Sequence, residues 1–539
     1  MIEFKYRLPR MNVGEKQVGT YNNNESGLPG IFTTSDPKLG IFMQGLRNIV
    51  SMDRRLVFID NKMIGCSINW IRDDVHQMKA FRHWDYSFRD FLDFIIDTQR
   101  EDGQYYELIK QLDDEHWKFV NEDCYRIYED DNLALTRLEI EADIEYLVVE
   151  GAMYCYKVFP DDEWLAKVLR KLEKGIDYMT SDSKRWDEEH GLVKRAFTID
   201  TWDFAYKQSA VNRRIEESTP MSIMHGDNSG VYQAMLQLAW FNNRLGRKEQ
   251  ADKWEKRAEE LRNNIFKHLW NGEYFIHQLH LGHEGADDKE NVRLSLSCTY
   301  DINRGLTDVS QSRSIIEEYI KRRDKAGYFA EWFTIDPPYP ENTWGFKPGD
   351  YVNGAVSPYT AGELAKAAFN NGYEEYAWDI IKRLMAMMDR DGSLYFLYYP
   401  DTQQPQGRGP SGWGAAAVLS AIDEGLAGIV DAGVNYDIID FKPRFVVTEY
   451  NELRYLTGYE ASSTPVDVRF IITDIGMRYD IISPSKEIRA HILLPKGRDC
   501  TTLLVDGVET KFELSQVGVS KYVDVNIKPT GKLSIELLF

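Results

Sequence analysis

The stretch DNSGVYQAMLQLAWFNNRLGRKEQADKWEKRAEELRNNIF, residues 227–266, carries two helical periods in succession. In its first half, Val231, Met235 and Leu238 recur at helical spacing behind a cluster of Asp227, Asn228 and Ser229. Oxygen-bearing side chains at that place satisfy the free N–H groups of a helix start. In its second half, Trp254, Ala258, Leu261 and Ile265 fall on one face, the mark of an amphipathic helix. Two such helices in tandem predict a helical hairpin.

The pattern extends outward in both directions. Helical segments are expected at 83–99, 137–158, 162–179, 311–322, 359–370, 373–389 and 412–429, within a helical region running from about 36 to 435. The connections alternate between short and long, and the long ones (121–136, 198–226 and 327–358) hold the unusual chemistry. A ring of hairpins accounts for this, with one end tightly connected and the other bearing an irregular funnel. The fold class expected is therefore mainly α: an (α/α)6 toroid over 36–437, preceded by an irregular segment, 1–35. From 438 to 539 the chain changes character. RFVVTEY, VDVRFIIT, EIRAHILL and KLSIELLF alternate apolar with polar residues, and Asp506-Gly507 reads as a hairpin turn, so a small β-sandwich-like domain is expected there.

Composition narrows the function classes. A net charge of −21 argues against a nucleic-acid partner, because a phosphate backbone is held by excess positive charge. No run approaches the 18 or so apolar residues of a membrane span, and MIEFKYRLPRMNVGEK lacks the apolar core of a secretory signal. Cys66, Cys124, Cys155, Cys298 and Cys500 are scattered and odd in number; that spacing predicts reduced thiols in a cytoplasmic protein, with no metal or cofactor. The 13 Trp and 31 Tyr are more informative, since several sit beside Asp, Arg or Asn in NWIRDD, DTWDFAY, ENTWGF and SGWGAA. Sugar pockets need that mixture: aromatic faces cover the C–H faces of a pyranose while charged groups bind its hydroxyls.

Three clusters are candidates. Trp70-Ile71-Arg72-Asp73-Asp74 offers adjacent donors and acceptors for neighbouring hydroxyls; read alone, it is better explained as an acidic helix start. Asp200-Thr201-Trp202-Asp203-Phe204 places a carboxyl group between two aromatic rings, the setting that keeps an acid protonated for donation to a glycosidic oxygen. Taken alone, it also reads as a capping Asp with packing aromatics. The stretch 327–358 gathers Glu331, Trp332, Asp336, Glu341, Trp344, Asp350 and Asn353, more carboxylates than a connection requires.

In this order the motifs resemble those of six-hairpin glycosidases. WIRD resembles the W-x-R-D stretch of glucoamylases, DTWD their D-x-W-E and the W-D-F of trehalases. RLEIEADIEYLVVEGAMYCYKVFPDDEW is similar to the helix before the acid loop in maltose phosphorylases, and GPSGWGAAAVLSAIDEGLAGI resembles the closing helix of the superfamily. The resemblance implies Asp203 as general acid and Trp70, Arg72 and Asp73 as a terminal-sugar pocket; Trp202, Glu341, Trp344, Asn353 and Trp413 are expected as further substrate contacts. One departure stands out: the turn that holds the base Glu in glucoamylases and trehalases reads LYFLYYPDTQQP here, with Phe396-Leu397 at the critical place. Rhamnosidase-like relatives carry the base as a Glu beside Trp, which makes Glu331 the candidate base. The expected function is an exo-acting, inverting hydrolase of an oligosaccharide or glycoside. The alternatives are a disaccharide phosphorylase, in which phosphate replaces the base and meets Asn353 to Ser357, and a polysaccharide lyase recruiting Tyr206, His225 and Arg213.

Overall fold

The computed structural model describes residues 32–112, 125–197, 214–341, 346–407 and 409–539. Among these residues it contains twelve α-helices: α1 (Pro37–Asp53), α2 (Ile71–Phe81), α3 (Asp90–Asp97), α4 (Ile144–Val158), α5 (Asp162–Met179), α6 (His225–Arg244), α7 (Lys248–Leu269), α8 (Ser297–Asn303), α9 (Val309–Ala326), α10 (Pro358–Asn370), α11 (Glu374–Asp391) and α12 (Gly412–Ser420). Helices α2, α4, α6, α8, α10 and α12 pack each against the next in that order, and α12 returns to α2. The other six lie outside them: α3, α5, α7, α9 and α11 each follow an inner helix, and α1 packs on α12 and α2 to supply the sixth outer position.

Residue pattern separates the two layers. Inner helix α4 is apolar nearly all round, with Ile144, Leu147, Val148, Val149, Ala152 and Cys155 all buried. Outer helix α7 buries one stripe only, Ala251, Trp254, Ala258, Leu261, Ile265 and Leu269. A helix enclosed by neighbours has no polar face to spare, whereas one with solvent behind it needs one. The connections follow the same logic. Inner-to-outer turns are brief, as at 159–161, 245–247 and 371–373, while the outer-to-inner connections are long and carry small β-ribbons. All six inner helices thus begin at the end of the ring where the long loops gather.

Several helices begin elsewhere than their sequence pattern suggested. Helix α4 starts at Ile144, not 137, because 137–143 is irregular, with a turn closed by the Glu141 N–H on the Leu138 carbonyl, and Arg137 is buried in ion pairs with Glu107 and Glu145. Helix α6 starts at His225, so Asp227, Asn228 and Ser229 lie within its first turn instead of ahead of it. Asn228 is taken by a tertiary contact, accepting from the Val193 N–H at 2.8 Å and donating to the Val193 carbonyl at 2.9 Å. The expected helix 412–429 is α12 followed by a π-helical turn, Ala421–Leu426.

The C-terminal region is rich in sheet, as expected. It holds a seven-stranded sheet and a five-stranded one. The strands Thr464–Thr473 and Leu533–Leu538 bury every second residue, Val466, Val468 and Phe470 in one and Leu533, Ile535 and Leu537 in the other. That is the period of a strand with one face on a core. Asp506 and Gly507 both have positive φ, 51° and 78°, the geometry of a tight two-residue hairpin turn. The sheets draw residues from beyond 438–539: Ile429–Asp431 pairs with Ile438–Phe441, and Thr33–Thr34 pairs with Glu452–Tyr459.

Helices α10 and α12 approach so closely at Gly362 that a Cβ there would lie 2.4 Å from the Ala417 carbonyl carbon and 2.6 Å from the Val418 nitrogen. Backbone cannot yield as a side chain does. Gly362→Ala is expected to destabilise the protein by about 1–3 kcal/mol, measured as a lower urea midpoint; an unchanged midpoint would show that the two helices separate freely.

Candidate active site

The N-termini of the inner helices frame the mouth of the ring, and the sequence candidates of the first cluster lie there. Trp70 precedes α2 and packs against Leu138, Ile140 and Ala196. Arg72, 5% exposed, reaches across to the start of α4. Its Nε and Nη2 donate to the two Asp143 oxygens at 2.5 and 2.8 Å, and it also contacts Glu141. Burial alone would raise the Asp143 carboxyl, but the Arg72 guanidinium holds it below the usual carboxylate range. Next round the ring, Arg195 donates to Asp227 in the first turn of α6 at 3.3 Å and bears electrostatically on Asp143. Side chains from α2, α4 and α6 are joined in one chain of charge.

The other wall is aromatic. The His76 ring stacks on Trp413 with centroids 4.1 Å apart and planes 10° from parallel. Trp413 also stacks on Tyr359 at 5.2 Å, and its indole Nε1 donates to the Tyr300 hydroxyl at 2.9 Å. These rings belong to an apolar cluster separate from the main core, shared with Phe197, Tyr339 and Leu397. Burial, reinforced by Lys79, Arg304 and Arg72, drives the His76 pKa well below its ordinary value and keeps the imidazole neutral. Phe396 packs against Tyr359, so the Phe396-Leu397 pair is absorbed into this wall.

Between the two walls, Asp53 at the end of α1 accepts from the Gly412 N–H at 2.9 Å and from Gln77 Nε2 at 3.1 Å. Gly412 has to be a glycine for this, since a Cβ would sit 2.4 Å from both the Asp53 and Gln77 oxygens. Asp73 faces Asp53 and is only partly buried; desolvation, eased by Arg72 and reinforced by Asp53, pushes its carboxyl up to about 7.

The third cluster behaves differently. Glu331 is fully buried, but it is bound to outer helix α11: Arg383 donates to both of its oxygens at 2.9 and 2.7 Å, and the Tyr376 hydroxyl donates at 2.5 Å. Burial would raise its carboxyl, yet Arg383 brings it below the ordinary value. The charge of the carboxylate expected to activate water is thus matched by Arg383, and its bonds run to the outer layer. Asn353 is likewise an internal staple, accepting from the Tyr339 N–H at 2.7 Å and donating to the Tyr339 and Phe346 carbonyls at 3.0 Å each, so its amide is committed to the loop and not to substrate. Glu341 is exposed. Trp344, Trp202 and Asp203 lie outside the described residues. The segment with Asp203 is flanked by Phe197, which packs on His280 and Tyr339, and by Ile215, whose N–H donates to Glu139 at 3.1 Å.

Sequence reasoning missed Asp53, His76, Glu141, Asp143, Arg195 and Asp227. The alternation RLEIEAD was a usable signal, for Glu139, Glu141 and Asp143 recur at every second position immediately ahead of an apolar helix. One further buried group has the composition of a metal site, His225 with Cys298 and Asp301. His225 already bonds Asp301 through Nδ1 at 2.6 Å and Ser295 through Nε2 at 3.0 Å, so both ring nitrogens are in use and the group reads as a structural tie between α6 and α8.

The described helices close a ring of hairpins whose mouth carries aromatic rings beside carboxylate–guanidinium pairs. Residues 67–414 match the family described as the mannosylglycerate hydrolase MGH1-like glycoside hydrolase domain, and the chain belongs to that family and is a glycosidase. Among solved structures it is similar to an α-L-rhamnosidase from Dictyoglumus thermophilum, with a TM-score of 0.61 and 12% identity over 95% of this chain and 51% of that one. It is also similar to a GH63 mannosylglycerate hydrolase from Thermus thermophilus (TM-score 0.52, 16% identity, 70% of this chain and 99% of that one). A third is a GH78 rhamnosidase of Bacillus sp. GL1 (TM-score 0.56, 14% identity, 87% and 43%). The chain thus spans about half the length of the first of these. No curated protein matches it. Among the described residues no helix is long and apolar enough to cross a membrane.

The raised Asp73 carboxyl couples stability to pH. An unfolded Asp loses its proton near pH 4, whereas the folded one keeps it up to about 7. The folded state therefore binds the extra proton in that window, and stability falls as pH rises through it. Asp73→Asn is expected to flatten this decline, measured as urea midpoints at about pH 5 and pH 8. An equal decline in the variant would remove Asp73 as its source.

Proposed function

We propose that the enzyme is an exo-acting glycoside hydrolase with Asp203 as proton donor, built on an (α/α)6 toroid in which the mouth of the ring binds the terminal sugar. The observation that carries the reading is the composition of the mouth: the His76–Trp413–Tyr359 stack together with the Arg72–Asp143 and Arg195–Asp227 chain. A pyranose presents C–H faces and a rim of hydroxyls, and the two walls match one and the other. Ion pairs hold these polar groups in place before substrate arrives, which spares the cost of ordering them on binding.

Asp203 supplies the chemistry. Trp202 and Phe204 flank it in the sequence, and an acid held beside apolar surface retains the proton that a departing oxygen requires. Cleavage with inversion also needs a proton acceptor for water on the opposite face of the ring, a role for which Glu331 is poorly placed. That favours keeping phosphorolysis as the second reading, since phosphate needs no base. Hydrolysis remains the better supported of the two, because Asn353, the group nearest to a phosphate ligand in the sequence reading, is committed to its own loop. The similar structures, a mannosylglycerate hydrolase and rhamnosidases, make mannosylglycerate and rhamnosides the first substrates to try.

Asp203→Asn is expected to lower turnover about 10²–10⁴-fold on glycosides with poor leaving groups, with the circular dichroism spectrum unchanged. The loss should shrink on nitrophenyl glycosides, whose leaving group needs no proton. Equal losses on both substrate types would take Asp203 out of the proton-donor role, and cleavage that requires added phosphate would transfer the reading to a phosphorylase.

A further inference from the structure

Away from the mouth, a cavity of about 310 Å³ opens between the far end of the ring and the five-stranded sheet. Its walls include Lys366 and Asn370 of α10, Glu424 of the π-helical turn, Lys442, Arg444 and His491. In a chain with net charge −21, a cavity with three permanent cations and one carboxylate is out of keeping with the rest.

Part of this charge has a structural explanation. The C-terminal ends of α8 and α10 reach this end of the ring, and cations are favoured there. Lys366 is paired with Glu424, which also receives Arg82 at 2.9 Å. That accounts for Lys366 and Glu424 but not for the other two. Arg444 is 1% exposed and forms no ion pair among the described residues. It donates to the Gly425 carbonyl at 2.8 Å and to Asn370 Oδ1 at 3.0 Å, both neutral acceptors, and its Nε has no hydrogen-bond partner. The acid that acts on it from further off, Glu374, is already bonded to Ser520 at 2.7 Å and to Tyr522. Lys442 has only Asp440, at 4.0 Å. His491 is tied to Asp524 at 2.5 Å and stacks on Tyr522. Burial, assisted by the neighbouring Arg444, pulls the Lys442 ammonium below its ordinary pKa, although Asp440 opposes this.

A buried cation without a counter-charge is costly, and an anion that enters beside it recovers that cost. We propose that this cavity is a binding site for a small phosphorylated metabolite, held through its phosphate group by Lys442 and Arg444. Two cations lacking close anionic partners suit a dianion: the Lys442 side chain, 36% exposed, supplies the charge-assisted donor at the cavity, and the buried Arg444 adds its charge from behind. The volume exceeds what a bare phosphate fills, which leaves room for a sugar-sized remainder.

The test is thermal unfolding of the whole protein against inorganic phosphate and, separately, a hexose phosphate, each with ionic strength matched by chloride. A ligand bound only by the folded state raises the midpoint in a saturable way. The wild type is expected to show that rise; Lys442→Gln should weaken the apparent affinity about tenfold, and Lys442→Arg should retain it. Asp440→Asn, which removes the nearest competing acid and does not depend on the Lys442→Gln variant folding, should tighten it. Tighter binding of the hexose phosphate marks an ester as the ligand, and equal binding marks phosphate itself. A midpoint that chloride raises equally overturns the proposal. So does a phosphate response unchanged in both Lys442→Gln and Asp440→Asn, which would place the anion elsewhere.

Discussion

The alignment of the six inner helices is the constraint on which the rest of the structure depends. They run the same way, so six helix N-termini, each with partial positive charge and unpaired N–H groups, gather at one mouth. Acidic side chains are favoured there. Asp73 and Asp74 stand in the first turn of α2, Asp143 just before α4, Asp227 in the first turn of α6, and Asp53 against the first N–H of α12. The acidic mouth is thus a requirement of the ring before it is a feature of the catalyst. Arg72 and Arg195 then keep several carboxylates in a small volume from repelling one another.

Those ion pairs link stability to function. Arg72 spans α2 and α4, and Arg195 joins the ribbon ahead of the Asp203 segment to α6. Removing either partner would leave a buried charge alone, which costs more than the pair itself contributes. The mouth is therefore held rigid by the same groups that are suited to bind hydroxyls. Planar rings set side by side, as in the His76–Trp413–Tyr359 stack, extend that rigidity to the apolar wall.

The hairpin ring and the C-terminal sheets were legible in the sequence because burial imposes periods, 3.6 in α7 and 2 in the strands near 466 and 535. The ends of the elements were less so. Asn228 has the chemistry of a cap but is used to hold Val193, and no local pattern distinguishes those uses. The site was legible in part. Arg72, Asp73 and Trp413, each singled out by a local motif with a chemical reading, lie at the helix starts that frame the mouth. Asp53, Asp143 and Asp227 were missed because their role is set by which helix end stands opposite, and that is a property of ring closure. His76 in turn looks like any polar residue on an inner helix until its ring is seen against Trp413.

Glu331 shows how ring geometry limits inference from composition. Four carboxylates within one long connection looked like a reservoir for a base, yet a connection that travels from the outer layer to the inner one presents different residues to each. Glu331 lies soon after α9, an outer helix, and its partners Arg383 and Tyr376 belong to the outer α11. Residues near the far end of the same connection meet the mouth: Tyr359 of α10 stacks on Trp413. Position along an outer-to-inner connection therefore decides which chemistry a residue can serve. A carboxylate that activates water has to come from the inner-helix starts or from the late part of a long loop, and a Glu early in such a loop is more readily recruited to bind the outer helices together.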